Sequence, residues 1–361
     1  MRVLHYIDAD NITWLTSYMK HIKTLEAFGI KNIFMCRPGH AEKCARENEI
    51  ETYTFKPFMP SVPLLSFEFK RFIEKIKPDL IHTCLSSSAA IAGFWGHYLK
   101  IPVVSAFNKS EKPKYYSNSN YYVACAEWLK DYMVNAQNFP PEKISIISNP
   151  VDTEFFQPDL LLRDKFRQEL GLAEDEILIA GMGFYTEQKG FDVLIKACEN
   201  LNVTLVLIGT ESTEKGMREK YDFLAKSHNV NLIMPAGFVK DVRGYLQASD
   251  VFVMPSRAEG FSMALLEALA SGLPVVVSDI EPFQEIITNN FNGFIAKKDD
   301  VKSFTANIEK ALALSLNERG KMISHALELV RSKFTHKAAA EKTISLYRKV
   351  LSSARENKSF G

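Results

Sequence analysis

Apolar and polar positions alternate with two different periods along the first 150 residues of the chain. Short runs of β-branched and other apolar residues predict strands, and the amphipathic stretches between them predict helices. This alternation is typical of an α/β fold with a mostly parallel, doubly wound sheet and helices on both faces. The predicted strands are Val3 to Ile7, Asn32 to Cys36, Leu80 to His82, Val103 to Ala106 and Tyr121 to Ala124, and the predicted helices are Trp14 to Phe28, Glu42 to Asn48, Leu65 to Lys75 and Ala89 to Tyr98.

A turn-rich segment, Ser148-Asn149-Pro150-Val151-Asp152, interrupts this pattern, and a charged helix is predicted from Leu161 to Leu170. A second series of strands and helices then begins, so we predict one domain over residues 1–150 and another over residues 151–335. Three helical stretches follow from Val301 onward. The second series has strands at Ile177 to Met182, Thr204 to Ile208, Val230 to Met234, Val251 to Met254 and Val275 to Ser278, with helices at Phe191 to Asn200, Phe261 to Ser271 and, last in the chain, Thr335 to Leu351.

Composition adds little beyond a globular class. The 361 residues are 46% hydrophobic and 24% charged, which is enough for two domains with cores of their own. Lys and Arg (44) balance Asp and Glu (43), so we expect no nucleic-acid partner, and any basic surface must be local.

The cysteines and the apolar segments indicate a cytoplasmic protein. Five cysteines are widely spread without any C-x-x-C spacing, which argues against a disulfide framework and against a zinc site. The two most apolar segments, Leu80 to Leu99 and Met263 to Val277, contain polar residues that disfavour a membrane span. We therefore expect a soluble protein or one held peripherally on the inner face of the membrane.

The most informative loop follows the predicted strand Val251 to Met254 and leads directly into a helix near Phe261. Backbone N–H groups and the helix dipole make such a helix start an anion site suited to a diphosphate. Glu259 lies in this loop and Glu267 about two turns into the helix. Two glutamates eight positions apart are by themselves more typical of solvated helix charges. Glu267, however, stands among small and apolar residues, where a carboxylate needs partners.

These residues resemble glycosyltransferase family 4, whose retaining enzymes carry an E-x7-E signature that Glu259 and Glu267 match. Each further fragment is weak alone, but their order is specific. The fragments are Asn149-Pro150-Val151-Asp152 with Phe155-Phe156 and Pro158, Lys189-Gly190-Phe191-Asp192-Val193-Leu194-Ile195, and Ala270-Ser271-Gly272-Leu273-Pro274-Val275-Val276 with Glu285-Ile286-Ile287.

The resemblance implies the GT-B architecture, with two doubly wound Rossmann-like domains facing each other across a cleft. Residues 1–150 would form the acceptor domain, joined by the C-terminal helix of residues 336–361, and residues 151–335 the donor domain. A nucleotide-diphosphate sugar, with UDP or GDP as its nucleotide, would be the donor, and a glycan or glycolipid the acceptor.

The resemblance also implies roles for single residues. Glu267 would bind the donor ribose and Glu259 the transferred sugar, while Lys189 would neutralise the diphosphate as it leaves. Gly183, in the loop that follows the predicted strand Ile177 to Met182, would also contribute to donor binding. The backbone N–H groups expected at the diphosphate belong to Phe261, Ser262, Met263 and Ala264, and the loop expected at the base is Gly237-Phe238-Val239.

Several positions depart from the family pattern. Phe184 stands where an arginine usually follows Gly183, so one charge partner of the diphosphate is missing. In the first half, His82 is what survives of an H-x-H motif, and Asn108 occupies the place of a cleft histidine. We expect Asn108 at the site and leave His82 open between a catalytic residue and a satisfied core histidine.

We expect no metal and no other cofactor. Asp8-Ala9-Asp10 has the D-x-D spacing of a metal site, but it lies in the presumed acceptor half without further carboxylates or histidines nearby in sequence. Lys189 and the helix start can stabilise the leaving diphosphate, which is the larger electrostatic task of the transfer.

The expected function is therefore a retaining, metal-independent sugar transfer in the assembly of a bacterial surface polysaccharide or lipopolysaccharide. The alternatives are a GT-B scaffold that binds nucleotide or a partner without transfer, and a GT-B phosphorylase or epimerase. A dinucleotide-dependent oxidoreductase is disfavoured because the loop from Asp8 to Thr13 contains no glycine.

Basic residues are in local excess in the first 150 positions, with 18 Lys and Arg against 14 Asp and Glu. Some of them cluster in Lys70 to Lys77 and in Lys109 to Lys114. These clusters fit a solvated surface and contact with anionic lipid equally well.

Overall fold

The computed structural model describes residues 1–12, 14–60 and 62–359, and it divides into two compact units. One unit contains residues 1–150 together with the C-terminal helix that begins at His336, and the other contains residues 151–335. Within the described residues, no helix combines the length and the apolar composition needed to cross a bilayer.

The first unit is built on a seven-stranded sheet in which every neighbouring pair is parallel. Its strands are β1 (Arg2–Ile7), β2 (Lys31–Cys36), β3 (Glu51–Thr54), β4 (Leu80–Thr83), β5 (Val103–Phe107), β6 (Tyr121–Ala124) and β7 (Ile144–Ile146). The order across the sheet is β3-β2-β1-β4-β5-β6-β7, so the strand order reverses between β1 and β4.

Helices connect these strands and cover the sheet. They are α1 (Leu15–Ala27), α2 (His40–Glu47), α3 (Phe67–Ile76), α4 (Ser86–Leu99) and α5 (Glu127–Gln137). The C-terminal helix, α14 (His336–Ser359), packs against α1 and buries Tyr347 in the same unit. The prediction that the last helix returns to the N-terminal domain is confirmed.

The second unit has a six-stranded parallel sheet of order β10-β9-β8-β11-β12-β13. Its strands are β8 (Ile177–Met182), β9 (Val203–Ile208), β10 (Asn231–Ile233), β11 (Val251–Met254), β12 (Val275–Ser278) and β13 (Phe294–Ala296). The helices of this unit are α6 (Leu160–Glu169), α7 (Phe191–Ala197), α8 (Met217–Ser227), α9 (Arg243–Ala248), α10 (Met263–Ala270), α11 (Glu281–Gln284), α12 (Val301–Leu312) and α13 (Leu316–Lys333).

The central strands of both sheets are almost fully buried, with separate apolar clusters on either side of each sheet, whereas the edge strands β3, β7 and β10 are partly exposed. Burial on both faces explains why these strands read as continuous apolar runs rather than as alternating ones. The prediction of two doubly wound domains is confirmed.

The strand order of the second sheet reverses between β8 and β11, which pair directly through Val251 with Ile179 and Phe252 with Ala180. In an open α/β sheet, ligands bind outside the carboxyl ends of the strands where the order reverses. The loops after β8 and β11 therefore define the place to look for a site in this unit.

Some element bounds differ from the predictions. Strand β3 was not predicted, because Glu51-Thr52-Tyr53-Thr54 is largely polar. The helix expected from Phe261 begins at Met263, because the side chain of Ser262 accepts the backbone N–H of Leu265 and caps the helix there.

Candidate functional site

The loops that follow β8 and β11 lie in direct contact. Gly190, in the first loop, has the left-handed φ of 67°, and a Cβ atom there would lie 2.1 Å from the carbonyl oxygen of Pro255 in the second. Position 190 therefore requires glycine for two reasons, the left-handed φ and the close approach of the two backbones.

Arg257 fastens the two loops together. Its backbone N–H donates to the carbonyl of Gln188 at 2.7 Å, and the Gln188 side chain donates to the carbonyl of Ala258, also at 2.7 Å. The Arg257 guanidinium makes two 2.9 Å bonds to Asp192 and one of 2.6 Å to Asp299. Burial alone would raise the pKa of Asp192, but the bonds from Arg257 lower it. The guanidinium therefore holds the loop geometry.

The charged pair at the centre of this site is Lys189 and Glu259. The Lys189 Nζ donates to Glu259 Oε1 at 2.6 Å, and the two side chains are only 17% and 8% exposed. The hydroxyl of Ser256 donates to the same carboxylate oxygen at 2.8 Å. A Cβ on Gly183 would lie 2.9 Å from Lys189 Cε, so this glycine leaves room for the lysine stem. The structure thus brings Gly183, Lys189 and Glu259 together.

Glu267 lies on α10 in a partly buried position. Burial raises the pKa of its carboxyl group to about 8. No hydrogen-bonding partner of this carboxyl group lies among the described residues. A half-buried carboxyl group without a protein partner has its acceptor positions open for a ligand.

The start of α10 offers backbone donors in the same loop. The first N–H groups of a helix have no acceptor within the helix, and the Ser262 side chain takes the one from Leu265. Met263 and Ala264 form the first turn, and Phe261 and Ser262 immediately precede it. Four consecutive backbone amides therefore lie between Glu259 and Glu267 in sequence.

The loop of Gly237, Phe238 and Val239 follows β10, at the edge of the sheet. Gly237 has a left-handed φ of 70°, Phe238 is largely exposed, and Val239 packs on the apolar core. Among the described residues, no hydrogen bond, ion pair or ring contact joins this loop to the Lys189 and Glu259 pair, and its part in base binding stays a prediction.

His82 lies in the first unit, at the carboxyl end of β4, and is buried. Its Nδ1 is 2.5 Å from the hydroxyl of Tyr347 on α14, and its ring stacks on His5 at 5.6 Å between centroids. Burial, with the neighbouring histidines, lowers the pKa of His82 well below its usual value. These contacts are those of a core histidine, and a catalytic role for His82 stays a prediction.

Asn108 directly follows β5, the strand next to β4, and is partly exposed. It and His82 therefore lie at neighbouring strand ends in the first unit, while the other predicted site residues lie in the second. Its catalytic role is likewise a prediction.

Asp8, the first residue of the D-x-D spacing, accepts two bonds from Arg37, at 2.7 and 3.0 Å. Both carboxylate oxygens are thus occupied by a guanidinium rather than open to a metal ion. Across the described residues, no group of three His, Cys, Asp or Glu side chains could hold a metal ion.

Sequence reasoning missed the residues that support the charged pair. Arg257, Ser256, Gln188 and Asp192 hold the loops in place, yet the first three resemble ordinary polar loop residues in the sequence and Asp192 resembles an ordinary helix residue. Their only sequence signal is position, because they lie within three residues of Lys189 or Glu259.

Two family models match adjacent parts of the chain. The model for glycosyl transferases group 1 matches residues 163–328, and the model for glycosyltransferase family 4 matches residues 21–155. Together they cover most of both structural units.

Curated relatives carry related names. The chain is 27% identical over 258 residues to the UDP-Gal:alpha-D-GlcNAc-diphosphoundecaprenol alpha-1,3-galactosyltransferase of Escherichia coli, covering 65% of this chain and 66% of that protein. It is 30% identical over 238 residues to the capsular polysaccharide biosynthesis glycosyltransferase CapM of Staphylococcus aureus, covering 62% and 60%. The chain thus spans less than two thirds of either relative.

Among solved structures, a glycosyltransferase from Rickettsia africae superposes with a TM-score of 0.88 over 97% of this chain and 98% of that chain. The sequence identity is 18%, so this likeness supports the fold alone. With the two sheets, the returning C-terminal helix and both family matches, the chain is a member of glycosyltransferase family 4 with the GT-B fold.

Proposed function

We propose that this protein transfers a sugar from a nucleoside diphosphate sugar, with a UDP or GDP nucleotide, to a hydroxyl group of a glycan or glycolipid, with retention of the anomeric configuration. The observation that carries the proposal is the paired Lys189 and Glu259 at the strand-order reversal, beside a helix start and the unpartnered Glu267. The second unit is the donor domain in this proposal, and the first unit is the acceptor domain.

The site has complementary chemistry for each part of the donor. Glu267 has acceptor positions for the two ribose hydroxyls, and the amides of Phe261, Ser262, Met263 and Ala264 suit the diphosphate. Lys189 uses one N–H on Glu259, which leaves two for the leaving phosphate. Glu259 Oε1 is occupied by Lys189 and Ser256, and its other oxygen can accept a hydroxyl of the transferred sugar.

The proposed transfer breaks the bond between the anomeric carbon and the diphosphate oxygen, and the acceptor oxygen bonds to that carbon from the same face. The leaving phosphate oxygen takes the proton of the acceptor hydroxyl. Negative charge therefore gathers on the diphosphate as the bond breaks. Lys189 and the start of α10 stabilise this charge, which makes a divalent metal dispensable.

The relatives support the class of acceptor. The E. coli relative is named for transfer to a sugar linked to diphosphoundecaprenol, and the S. aureus relative is named for capsular polysaccharide synthesis. An acceptor in a bacterial surface glycan or glycolipid pathway is the proposal for this chain. His82 and Asn108 are the candidate residues at the acceptor end of the reaction.

One observation favours a second candidate. Phe184 follows Gly183 where the family pattern has an arginine, and Arg257 is bound to carboxylates. A GT-B protein that binds nucleotide but transfers no sugar would tolerate the loss of this positively charged partner of the diphosphate.

A donor screen separates the two candidates. A nucleoside diphosphate should raise the melting temperature in either case, because ligand binding stabilises the native state. Transfer from one of a panel of nucleotide sugars, with the α-configuration of an α-linked donor kept in the first product by NMR, supports the enzyme. Nucleotide binding without transfer to any acceptor favours the scaffold, and an inverted product contradicts retention.

A further inference from the structure

Apolar side chains are concentrated on the surface between β3 and α3. We call Phe58, Met59, Val62, Leu64, Leu65 and Phe67 the apolar segment. They are six of the sixteen large hydrophobic residues exposed in the described part of the chain, and they fall within ten positions. Phe58 is 86% exposed, and Phe67 and Leu64 are more than half exposed. An exposed apolar patch of this density marks an interaction surface.

The later part of the apolar segment is held against α4 by Trp95. The Trp95 Nε1 donates to the carbonyl of Pro63 at 3.0 Å, and the Trp95 ring lies 5.5 Å from that of Phe67. On its other side, Trp95 contacts the exposed ring of Tyr98. Pro63 and Phe67 are therefore already held against α4, which reduces the entropy lost when this part of the segment binds.

A cavity of about 410 Å³ opens within the segment. Its apolar lining comes from Phe55, Pro57, Phe58, Leu65 and Phe67, and its polar part from Lys56, Ser66 and Glu68. A mainly apolar cavity of this size suits a hydrocarbon chain, as in a glycerolipid.

Charge around the segment is positive. The residues Lys56, Lys70, Arg71, Lys75 and Lys77 outnumber Glu68 and Glu74. Lys56 and Arg71 are exposed, and neither has a carboxylate partner among the described residues. A second copy of the chain would bring like charges together at this surface, whereas an anionic bilayer would be attracted to it.

We propose that the apolar segment docks this protein on an anionic bilayer, with its side chains in the interface and one lipid chain in the cavity. The basic residues around it contact the lipid headgroups. Apolar insertion combined with basic contacts is the combination that gives stable peripheral attachment. This surface lies in the first unit and is independent of whether the proposed sugar transfer occurs.

Cosedimentation of the full chain with vesicles tests the surface. Vesicles of phosphatidylglycerol and phosphatidylcholine in equal parts should bind the protein at low salt, and vesicles of phosphatidylcholine alone should bind it far less. The double substitution Phe58→Ser with Leu64→Ser should weaken binding by about tenfold or more, because two apolar side chains leave the interface. The matched control replaces two exposed residues of the second unit, Leu161→Ser with Phe223→Ser, and should bind like the parent.

A fluorescence reporter tests insertion directly. Brominated lipid should quench the tryptophan introduced by Phe58→Trp more than the tryptophan introduced by Phe223→Trp.

A charge-reversal variant tests the basic contacts. The double substitution Lys56→Glu with Arg71→Glu should weaken binding to anionic vesicles, and the remaining binding should depend less on salt concentration. The proposal is overturned by failure to bind at low salt, by equal binding of the Phe58 and Leu64 variant, or by equal quenching at both reporters. A dimer in lipid-free solution that the same double variant abolishes would assign the surface to a second copy instead.

Discussion

The ammonium group of Lys189 lies 2.6 Å from the carboxylate of Glu259, although 70 positions separate the two residues in the chain. The pair joins the loop after β8 to the loop after β11, at the point where the strand order of the sheet reverses. Both side chains are largely buried, at 17% and 8% exposed. Removing one of them therefore changes the electrostatics of the whole site.

Replacing Lys189 tests stabilisation of the leaving group. Lys189→Ala should lower kcat by roughly 10²–10³, the usual cost of removing one donor from developing negative charge. The matched control is Lys226→Ala, since Lys226 also donates to a carboxylate, that of Asp222, at 2.6 Å, but on an exposed surface. Its kcat should be unchanged. Equal rates for the parent and Lys189→Ala would contradict the role of Lys189.

The raised pKa of Glu267 leads us to expect that nucleotide binding releases protons. Its pKa is raised to about 8 by burial, so near pH 7 the free protein holds this carboxyl group mainly protonated. Hydrogen bonds from ribose hydroxyls favour the ionised form and lower its pKa on binding. Calorimetry of a nucleoside diphosphate in two buffers of different ionisation enthalpy should detect the release. The Glu267→Gln variant should release fewer protons on binding than the parent. Any protons that the diphosphate itself gains or loses contribute equally to both proteins and cancel in this comparison. Equal release in both proteins would place the ribose elsewhere.

The transfer should not need a divalent metal. Lys189 and the start of α10 are expected to neutralise the leaving diphosphate, so a chelator should leave the initial rate unchanged. The measurement is the rate of transfer with and without chelator, and then with Mg²⁺ or Mn²⁺ restored. A strict metal requirement would contradict this account of leaving-group stabilisation.

The buried histidines of the first unit predict a loss of stability in acid. Burial lowers the pKa of His5 to about 4 and that of His21 to about 3. Below the unfolded value of about 6.5, the unfolded chain binds protons that the folded chain does not, so stability falls as the pH falls. Each histidine contributes a slope of about 1.4 kcal/mol per pH unit between 6.5 and its folded pKa.

The groups around these histidines offer no compensating charge. His5 bonds to Tyr18 and Asn32 and stacks on His82, and His21 faces Thr343 and the ring of His336, whose centroid is 6.4 Å away. Denaturant unfolding measured from pH 7 to pH 4.5 should show the loss. His5→Gln should have a shallower pH slope than the parent, whereas the exposed His97→Gln should keep the parent slope. A parent stability that does not change over this range would contradict the prediction.

Much of the fold was predictable because strands buried on both faces are continuous apolar runs. Strands such as β8 and β11 were predicted with their observed bounds for this reason. Strand β3 has no such run, since it is partly exposed and rich in threonine. The start of α10 is set by the single Ser262 side chain, which a periodic pattern does not reveal.

The candidate site was predictable only in part. Resemblance to a family suggested Lys189 and Glu259 separately, but the contact between them depends on which strands are neighbours in the sheet. Arg257 has two carboxylate partners that are distant in sequence, Asp192 and Asp299, so its part in joining the loops is visible only after folding. The unpartnered state of Glu267 likewise follows from tertiary packing.

The roles of the two glutamates give the most direct test of the donor site. Calorimetry with the free nucleoside diphosphate should show that Glu267→Ala weakens binding by about 1.5–3 kcal/mol, because a charge-assisted hydrogen bond to the ribose is lost. Glu259→Ala should bind the diphosphate nearly as well as the parent, since Glu259 is assigned to the transferred sugar, and its defect should appear in turnover. Equal loss of diphosphate affinity in both folded variants, or no loss in either, would contradict the proposed site.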